Sequence, residues 1–395
     1  MLYNNITEKI LGLQEVIIKK CEETESICRI EIELQRKRCI CPCCGRMTDR
    51  IHDYRKQVIK DLPCFGRKTV ILLRKRRYVC ECGKRFAEPN TFLPKYQRRT
   101  QRATVSMINR LSEAHSFTSV AKEFGVSVNC VINTFNIIKY PKPDKLPEVI
   151  GIDEFKGNSG KEKYHCIITD IKNKKVIDIL HTRYEHELLD YFKRFDRSNV
   201  KYFVSDMYST YSEIAKYYFP KAMYVIDKYH WIRQTLWAFE AIRKEIQKKF
   251  SKEHRIYFKH SKNLLLKRQK SLKKDQWLQV SNMLYLSPTL STAYFLKEQL
   301  YELLELKDSV EQKRRLKEWI EEASESDIQS FEKVAETYRR WFIPITNSLD
   351  CPYTNGFTEG CNNKIKVLKR IAYGYRNFKR FRNRILFTFS SRGGA

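Results

Sequence analysis

The residues of this chain best suited to chemistry are three carboxylates that lie far apart in sequence. Asp153 follows the apolar run at residues 149–152, and Asp206 follows the apolar run at residues 202–205. Both runs are typical of buried strands. Glu359 lies at the head of a later segment that is rich in lysine and arginine. Two carboxylates at strand ends and one on a helix can hold two divalent metal ions for chemistry on phosphates.

Each acid taken alone has an ordinary explanation. An aspartate at a strand end can simply begin a turn, and a helical glutamate is usually a solvated surface residue. The combination is more specific, because carboxylates on adjacent strands can converge at one edge of a sheet and a helix alongside can supply a third. Hard oxygen ligands favour Mg²⁺, with Mn²⁺ as the expected substitute.

The charge of the chain predicts a polyanionic partner. The formal net charge is +30, from 76 lysines and arginines against 46 acids. Nucleic acid is the leading candidate. An anionic membrane surface is the alternative, although no single basic amphipathic helix dominates. No apolar run approaches the roughly 18 residues of a membrane span, and the start is not typical of a secretory signal. We therefore expect a cytoplasmic protein with no membrane partner.

Two close cysteine pairs predict a metal site. In a reducing compartment the 13 cysteines are not a disulfide framework, so clustered thiols are first interpreted as metal ligands. One pair is Cys-x-x-Cys and the other Cys-x-Cys, each followed by glycine, which suits a tetrahedral structural Zn²⁺. The favoured ligands are Cys41, Cys44, Cys80 and Cys82. Cys39 and Cys43 are near enough to substitute, and reduced buried thiols without metal are the alternative.

Residues 117–132 have the pattern of a helix-turn-helix. Gly125 would end the first helix with a left-handed turn, and Ser127 would cap the second. The side chains predicted to be buried are Val120, Ala121 and Phe124 in the first helix and Val128, Val131 and Ile132 in the second. The side chains predicted to face base edges in a major groove are Asn129, Asn133 and Thr134. A plain helical hairpin is the alternative.

The remaining elements predict how the acids are positioned. Three prolines within residues 140–147 indicate a linker. A β-β-β-α-β-α-β pattern follows over residues 149–226, with a hairpin turn at residues 157–160. The chain then becomes helical, and far more residues separate Asp206 from Glu359 than the roughly 30 of a crossover unit. We therefore predict an all-helical insertion at about residues 231–345.

The last part of the chain is strongly cationic. Residues 360–395 contain ten lysines and arginines and no acid, with tyrosines and phenylalanines between them. Such a segment beside a metal site predicts a surface that grips DNA. Those predicted to bind DNA are Lys364, Lys366, Lys369, Arg370 and Arg376. A second basic run at residues 74–78 is either a contact to a phosphate backbone or an exposed edge strand.

Several segments together resemble the DDE transposases of the ISL-three insertion-sequence family. The matching segments are residues 149–155, 203–207, 225–230, 355–366 and 370–377, together with the amino-terminal cysteine pairs and the helix-turn-helix. The resemblance implies an RNase H-like core in which Asp153, Asp206 and Glu359 are the metal-binding triad. Asp227 and His230 match a family motif as accessory residues. The close Cys-x-Cys pair departs from the expected spacing.

The resemblance also implies domains and a function. The expected α/β architecture is a zinc-binding β domain at residues 1–97, a helix-turn-helix domain at 98–140 and an RNase H-like catalytic domain at 148–395 that contains the insertion. The expected activity is binding of terminal inverted repeats in double-stranded DNA, followed by metal-dependent strand cleavage and strand transfer by a homodimer or larger oligomer. A non-catalytic DNA-binding regulator and an RNase H-like nuclease are the alternatives.

Overall fold

The computed structural model describes residues 11–390 except residues 14, 142, 259 and 260, and for residues 256 and 257 it describes the backbone alone. The strands are β1 (Val16–Glu23), β2 (Ile27–Leu34), β3 (Cys39–Ile40), β4 (Met47–Thr48), β5 (Ile51–Lys60), β6 (Lys68–Val79), β7 (Arg85–Ala87), β8 (Val149–Ser159), β9 (Glu162–Asp170), β10 (Lys175–Leu180), β11 (Tyr202–Ser205) and β12 (Met223–Ile226).

The helices, numbered in chain order, complete the description. They are α1 (Gln101–Arg110), α2 (Phe117–Phe124), α3 (Val128–Phe135), α4 (Glu185–Phe192), α5 (Ser209–Tyr218), α6 (Lys228–Lys249), α7 (Lys252–Tyr257), α8 (Ser261–Leu266), α9 (Lys274–Tyr285), α10 (Pro288–Glu305), α11 (Ser309–Ser324), α12 (Gln329–Arg340), α13 (Phe342–Asp350), α14 (Gly356–Ile371) and α15 (Phe378–Ser390). Among the described residues, no helix is both long and apolar enough to cross a membrane.

The chain divides into two compact units. The first contains the chain up to Pro141 together with the residues from Ile365 onward, and the second is Lys142–Lys364. The sequence instead assigned everything from residue 148 to residue 395 to one catalytic domain. The difference arises because α15 packs on the helices of the first unit, where Phe387 contacts Phe135 with ring centroids 5.7 Å apart.

The first unit is built on a five-stranded sheet. Its order is β1-β2-β6-β5, with β7 paired to β6, while β3 and β4 form a separate two-stranded ribbon. Alternating apolar residues on β2 and β6 supply the core, in which Ile32, Ile71 and Leu73 are fully buried. These strands agree with the β character predicted for residues 1–97. Three helices, α1 to α3, occupy the region predicted to be helical.

The basic run at residues 74–78 corrects an expectation. It lies in β6, where these residues pair with β5 and the end of the run also pairs with β7, so it is not an exposed edge strand. Buried Arg76 pairs with Glu33 and Glu88 at 3.1 Å each, and Arg74 pairs with Glu33 at 2.7 Å. These cations neutralise carboxylates of the same unit, because an unpaired buried charge would be costly.

The second unit combines a mixed sheet with a helical insertion. The sheet order is β10-β9-β8-β11-β12. Strands β8, β9 and β10 are antiparallel neighbours, whereas β11 runs parallel to both β8 and β12. The core of the sheet includes the fully buried Ile150, Ile152 and Phe203. The five strands and two crossover helices follow the β-β-β-α-β-α-β pattern predicted for residues 149–226.

The hairpin between β8 and β9 turns later than predicted. Ser159 pairs with Glu162, so the turn is at Gly160 and Lys161, both with positive φ. The predicted turn at residues 157–160 is wrong, because β8 continues through a bulge before it turns. Residue 157 lies within that strand. A glycine is needed there because a Cβ would come 1.9 Å from His165 Cδ2.

Helices α6 to α13 form the insertion between β12 and the segment that carries Glu359. Their shared core contains large side chains that are fully buried. These include Trp231, Phe239, Tyr294, Phe331 and Tyr338. The apolar stripes at helical spacing therefore form a packed core, as predicted. The observed helices span Lys228 to Asp350, close to the predicted range of 231–345.

Candidate active site and cysteine cluster

The register of two parallel strands brings the first two acids together. Tyr202 lies opposite Val149 and Val204 opposite Gly151. When this register is continued by two residues, Asp206 comes beside Asp153. Asp206 directly follows β11, as predicted, but Asp153 lies inside β8 and not at its end. The strand continues past it because the hairpin with β9 extends to Ser159.

A glycine on β8 allows helix α14 to approach the sheet. A Cβ at Gly151 would lie 2.5 Å from Thr169 Oγ1 and 2.8 Å from Thr358 Oγ1. Those two hydroxyls are 2.8 Å apart and fully buried. The first turn of α14 therefore sits directly over β8 and β9. Glu359, the next residue after Thr358, is held at the sheet by this contact.

Asn362 is a site residue to which the sequence gave no role. Its Nδ2 donates to Asp153 Oδ2 at 2.8 Å, while the backbone amide of Glu154 donates to Asp153 Oδ1 at 2.7 Å. Both oxygens of Asp153 are thus held in a fixed orientation. The spacing offered a signal, since Asn362 follows Glu359 by three residues and so lies on the same face of the helix.

The two strand acids are electrostatically strained in the absence of cations. Burial raises the pKa of Asp153 to about 6, with further contributions from the charges of Glu154 and Glu359. Burial, followed by the charges of Asp153 and Glu154, raises the pKa of Asp206 to about 7. Asp206 Oδ1 is buried without a hydrogen-bond partner in the described part of the chain. The site therefore concentrates more negative charge than its own cations neutralise.

A fourth carboxylate lies beside the three, and the sequence assigned it no role. Glu154 forms an ion pair with Arg183. The Arg183 guanidinium also lies 4.9 Å from the ring centroids of both Tyr164 and Tyr208. Burial raises the pKa of Glu154 although Arg183 opposes the shift. Arg183 follows the third strand of the predicted pattern, β10, without any motif, so only the fold reveals it.

The accessory residues predicted by resemblance connect the acids to the insertion. Asp227 caps α6, since its Oδ1 accepts from Tyr229 N at 2.9 Å. Its Oδ2 accepts from Asn355 N at 2.5 Å, immediately before α14. His230 Nε2 lies 3.4 Å from Glu359 Oε1. Burial lowers the pKa of His230, which favours the neutral imidazole at pH 7.

The cysteine pairs form one cluster. Cys41 Sγ lies 3.7 Å from Cys82 Sγ, and Cys44 Sγ lies 3.5 Å from Cys80 Sγ. These separations are close to the ~3.8 Å between sulfurs around a tetrahedral zinc with bonds of about 2.3 Å. Each pair sits on a turn closed by a glycine of positive φ, Gly45 and Gly83. The four predicted cysteines are thus brought together, and Cys39 and Cys43 lie outside the cluster.

The acids and the cysteines differ in how closely they are assembled. Within the residues that the structure describes, the four cysteines are the one set of three or more candidate ligands with ligand atoms all within 4.8 Å of one another. The three acids do not meet that spacing. A site for two metals spaces its outer ligands more widely, because the ions themselves are roughly 4 Å apart.

Comparison with known proteins identifies the family. A model described as "Transposase", for DDE transposases of the ISL3 group, matches residues 150–385, more than half of the chain. The chain belongs to this family. A second model, described as the zinc-finger of transposase IS204/IS1001/IS1096/IS1165, matches residues 37–82. The matched zinc-finger segment contains all four clustered cysteines, which supports a structural Zn²⁺ in this member of the family.

Individual relatives agree with the family match. The chain is 25% identical over 396 residues to a transposase for insertion sequence element IS1001 of Bordetella parapertussis, covering 96% of this chain and 97% of the relative. It is 37% identical over 90 residues to a transposase for insertion sequence element IS1557 of Mycobacterium tuberculosis, covering 23% of this chain and 20% of the relative.

The helix pair α2 and α3 has the predicted turn in this transposase-family chain. Gly125 ends α2 with φ of 61°, and Ser127 caps α3 by accepting from Cys130 N at 3.2 Å. The inward residues of α2 are buried, and Val131 of α3 is buried. Asn129 and Asn133 are exposed, as expected for side chains available to DNA.

Two side chains of α3 differ from the prediction in their burial. Val128 is exposed, and Thr134 is buried, where its Oγ1 donates to Cys130 O and accepts from Arg99 Nη2, both at 2.7 Å. Val128 is the first residue of the helix and lies beyond the packed core, whereas Thr134 falls one turn after Cys130. The phase predicted for α3 is therefore wrong at these two positions.

The cationic carboxyl-terminal segment is exposed only in part. Lys366, Arg370 and Arg376 are exposed, whereas Lys364 and Lys369 are half-buried and make other contacts. Arg384, counted among the DNA-facing cations, is fully buried and donates to the carbonyls of Glu113 and His115. That expectation is wrong because the long side chain of Arg384 caps backbone groups inside the first unit. Arg392 lies outside the described residues.

Proposed function

We propose that the chain is a DNA transposase that binds the terminal inverted repeats of an insertion sequence and catalyses metal-dependent strand cleavage and strand transfer. The observation that carries the proposal is the pairing of Asp153 and Asp206 on neighbouring parallel strands, with Glu359 brought over them by α14. The order of the sheet, with three antiparallel strands followed by two parallel ones, supports an RNase H-like core. The relatives named above support the coarser assignment as a transposase.

The donor set fits magnesium. Asp153, Asp206 and Glu359 offer hard carboxylate oxygens, and Asp206 Oδ1 has no partner among the described residues. Burial, followed by the charges of neighbouring carboxylates, raises the pKa of both aspartates, so bound cations would stabilise their charged forms. When bound, two divalent ions would activate the attacking oxygen and stabilise the leaving 3′ oxygen of the phosphodiester.

The chain's own residues prepare these carboxylates. Asn362 and the amide of Glu154 orient Asp153, so that little reorganisation is needed when a phosphate arrives. The ion pair with Arg183 restricts the rotamers of the Glu154 side chain. Neutral His230 lies against Glu359 and leaves the carboxylate its charge. Asp227 fixes the relative position of the starts of α6 and α14.

DNA recognition falls to other parts of the chain in this proposal. Exposed Asn129 and Asn133 on α3 would read base edges in the major groove. Exposed Lys366, Arg370 and Arg376 would bind phosphates, with Lys364 and Lys369 beside them on α14. Both ends of a mobile element must be held together for excision, so the active form is a homodimer or a larger assembly on DNA.

The test is strand cleavage by the Asp153→Asn variant. We expect cleavage of DNA carrying the element ends to fall by about 1,000-fold or more, because a metal ligand is lost, while DNA binding stays within about twofold. Glu148→Gln is the matched control, since Glu148 precedes the same strand and pairs with Lys172 and Lys201 at the surface. Unchanged cleavage by Asp153→Asn would refute the assignment of Asp153 to the metal-binding triad.

A second assay separates joining from cutting. Element ends that already carry a free 3′-hydroxyl are supplied with target DNA. The proposal expects joined products that require Mg²⁺ or Mn²⁺ and that disappear in Asp153→Asn. An enzyme that cuts the ends and never joins pre-cut ends is a nuclease, and DNA binding without either product identifies a regulator.

A further inference from the structure

Helix α6 carries exposed aromatic residues to which the metal chemistry assigns no role. Tyr229, Arg233 and Trp237 follow one another at intervals of four residues and so share one face of the helix. The Arg233 guanidinium carbon lies 4.8 Å from the ring centroid of Tyr229 and 4.5 Å from that of Trp237. Tyr229 is 53% exposed and Trp237 54% exposed. We call these three residues the α6 ladder.

The ladder has unused binding capacity. Tryptophan is highly buried on average, and large aromatic side chains left in solvent commonly mark contact surfaces. Arg233 is half-buried with its Nε shielded from solvent, and its guanidinium lies against both rings of the ladder. The ladder therefore offers two half-exposed aromatic rings beside a cation.

The ladder begins at the proposed active site. The Tyr229 ring meets the His230 ring edge to face with centroids 5.7 Å apart, and His230 Nε2 lies 3.4 Å from Glu359 Oε1. An α-helix rises about 1.5 Å per residue, so Trp237 lies roughly 12 Å further along the axis than Tyr229. That length corresponds to about three stacked nucleotides at ~3.4 Å each.

We propose that the α6 ladder binds unpaired DNA bases next to the phosphate that the triad cuts. The proposal rests on the proposed function, because it takes the triad as the place of cleavage. Aromatic faces stack on any base, and a guanidinium adds cation–π attraction and a donor for phosphate. Bases inside an intact duplex offer no free face, so the ladder selects DNA whose end has opened and holds it open.

The test compares forked with blunt DNA on the full-length protein. Two duplexes of one sequence are used, one with about three splayed nucleotides that include 2-aminopurine, with Ca²⁺ in place of Mg²⁺ to prevent cleavage. We expect the wild type to bind the fork on the order of 10-fold more tightly and to quench the 2-aminopurine by stacking. Trp237→Ala loses the preference and the quenching but retains affinity for blunt DNA, whereas Trp237→Phe retains most of both.

The matched control is Tyr285→Ala, which removes another exposed aromatic side chain from the same helical insertion and is expected to behave as the wild type. Equal binding of forked and blunt DNA by the wild type would overturn the proposal. So would fork preference and quenching that survive Trp237→Ala, or that Tyr285→Ala abolishes equally. This assay measures binding without cleavage, whereas the triad is tested by cleavage and joining, so failure of the triad and failure of the ladder are read in separate experiments.

Discussion

The cysteine cluster and the acidic site show two ways of building a metal centre. The four thiols come from two short turns, and their sulfurs already lie within 4.8 Å of one another. The three carboxylates come from β8, from the end of β11 and from α14, and they are more widely spaced. Local turns therefore position the first set of ligands, whereas strand register and helix packing position the second.

The two centres also differ in their electrostatics. In the cysteine cluster the pKa values move in both directions. The backbone amide of Cys44 is the largest contribution that lowers the pKa of Cys41, to about 6, whereas, although the backbone amide of Cys82 opposes the shift, burial and neighbouring thiols raise the pKa of Cys80. In the acidic site, burial and neighbouring carboxylates raise the pKa of both aspartates. A structural metal centre is expected to stabilise the fold, whereas the acidic site is expected to destabilise it until cations bind.

The largest expected effect on stability is loss of the zinc site. Cys80→Ser should abolish bound zinc and destabilise the amino-terminal unit by about 5 kcal/mol or more, because zinc binding supplies folding energy there. Metal analysis and thermal denaturation measure the two effects. Cys43→Ser is the control, since Cys43 is exposed and lies outside the cluster. Full zinc content in Cys80→Ser would show that the cluster is not the ligand set.

A smaller effect tests how the acidic site is positioned. Gly151→Ala would place a methyl group 2.5 Å from Thr169 Oγ1 and 2.8 Å from Thr358 Oγ1, so α14 must shift. We expect a loss of about 2 kcal/mol in stability and a larger proportional loss of strand cleavage. Gly360→Ala on the same helix meets no atom within 4 Å and should be neutral or slightly stabilising. Equal behaviour of the two variants in both assays would contradict this account of α14.

A further effect at the acidic site has an unusual sign. Without divalent metal, Asp206→Asn should raise stability at pH 8 by about 3 kcal/mol, because it removes a buried charge. The pKa of Asp206 is about 7 in the fold, against about 4 in the unfolded chain. Wild-type stability therefore falls as the pH rises between these two values, and the difference between the proteins vanishes below the lower one.

Denaturant titrations across this pH range measure the effect. Asp227→Asn is the contrasting variant, because Asp227 accepts two backbone hydrogen bonds and its loss as a carboxylate should lower stability. Adding Mg²⁺ should stabilise the wild type and not Asp206→Asn. An Asp206→Asn variant that is less stable than the wild type at pH 8 without metal would contradict the repulsion described here.

Local sequence signals predicted the local structure well. The left-handed Gly125, the Ser127 cap and the glycines after the cysteine pairs all occur as expected, because each depends on a few neighbouring residues. The sequence also singled out the four cysteines that cluster in the structure, Cys41, Cys44, Cys80 and Cys82. In the acidic site, apolar runs alone assigned the two aspartates to strands, whereas the pairing of those strands comes from the order of the sheet.

Features that depend on packing were harder to predict. The turn after β8 comes later than predicted because a bulge lengthens the strand and His165 fills the space beside Gly157. The burial of Arg76 and Arg384 could not be predicted, because composition does not show which cations have buried partners. The contact between Asn362 and Asp153 requires α14 to lie over β8, which no local pattern specifies.

The most direct test of the central claim is a crystal structure of the full-length protein with Mn²⁺ and its anomalous difference map. The account predicts peaks within about 2.5 Å of carboxylate oxygens of Asp153, Asp206 and Glu359, and their loss in Asp206→Asn. A map with no peak between these three side chains, or with peaks only at other acids, would contradict it.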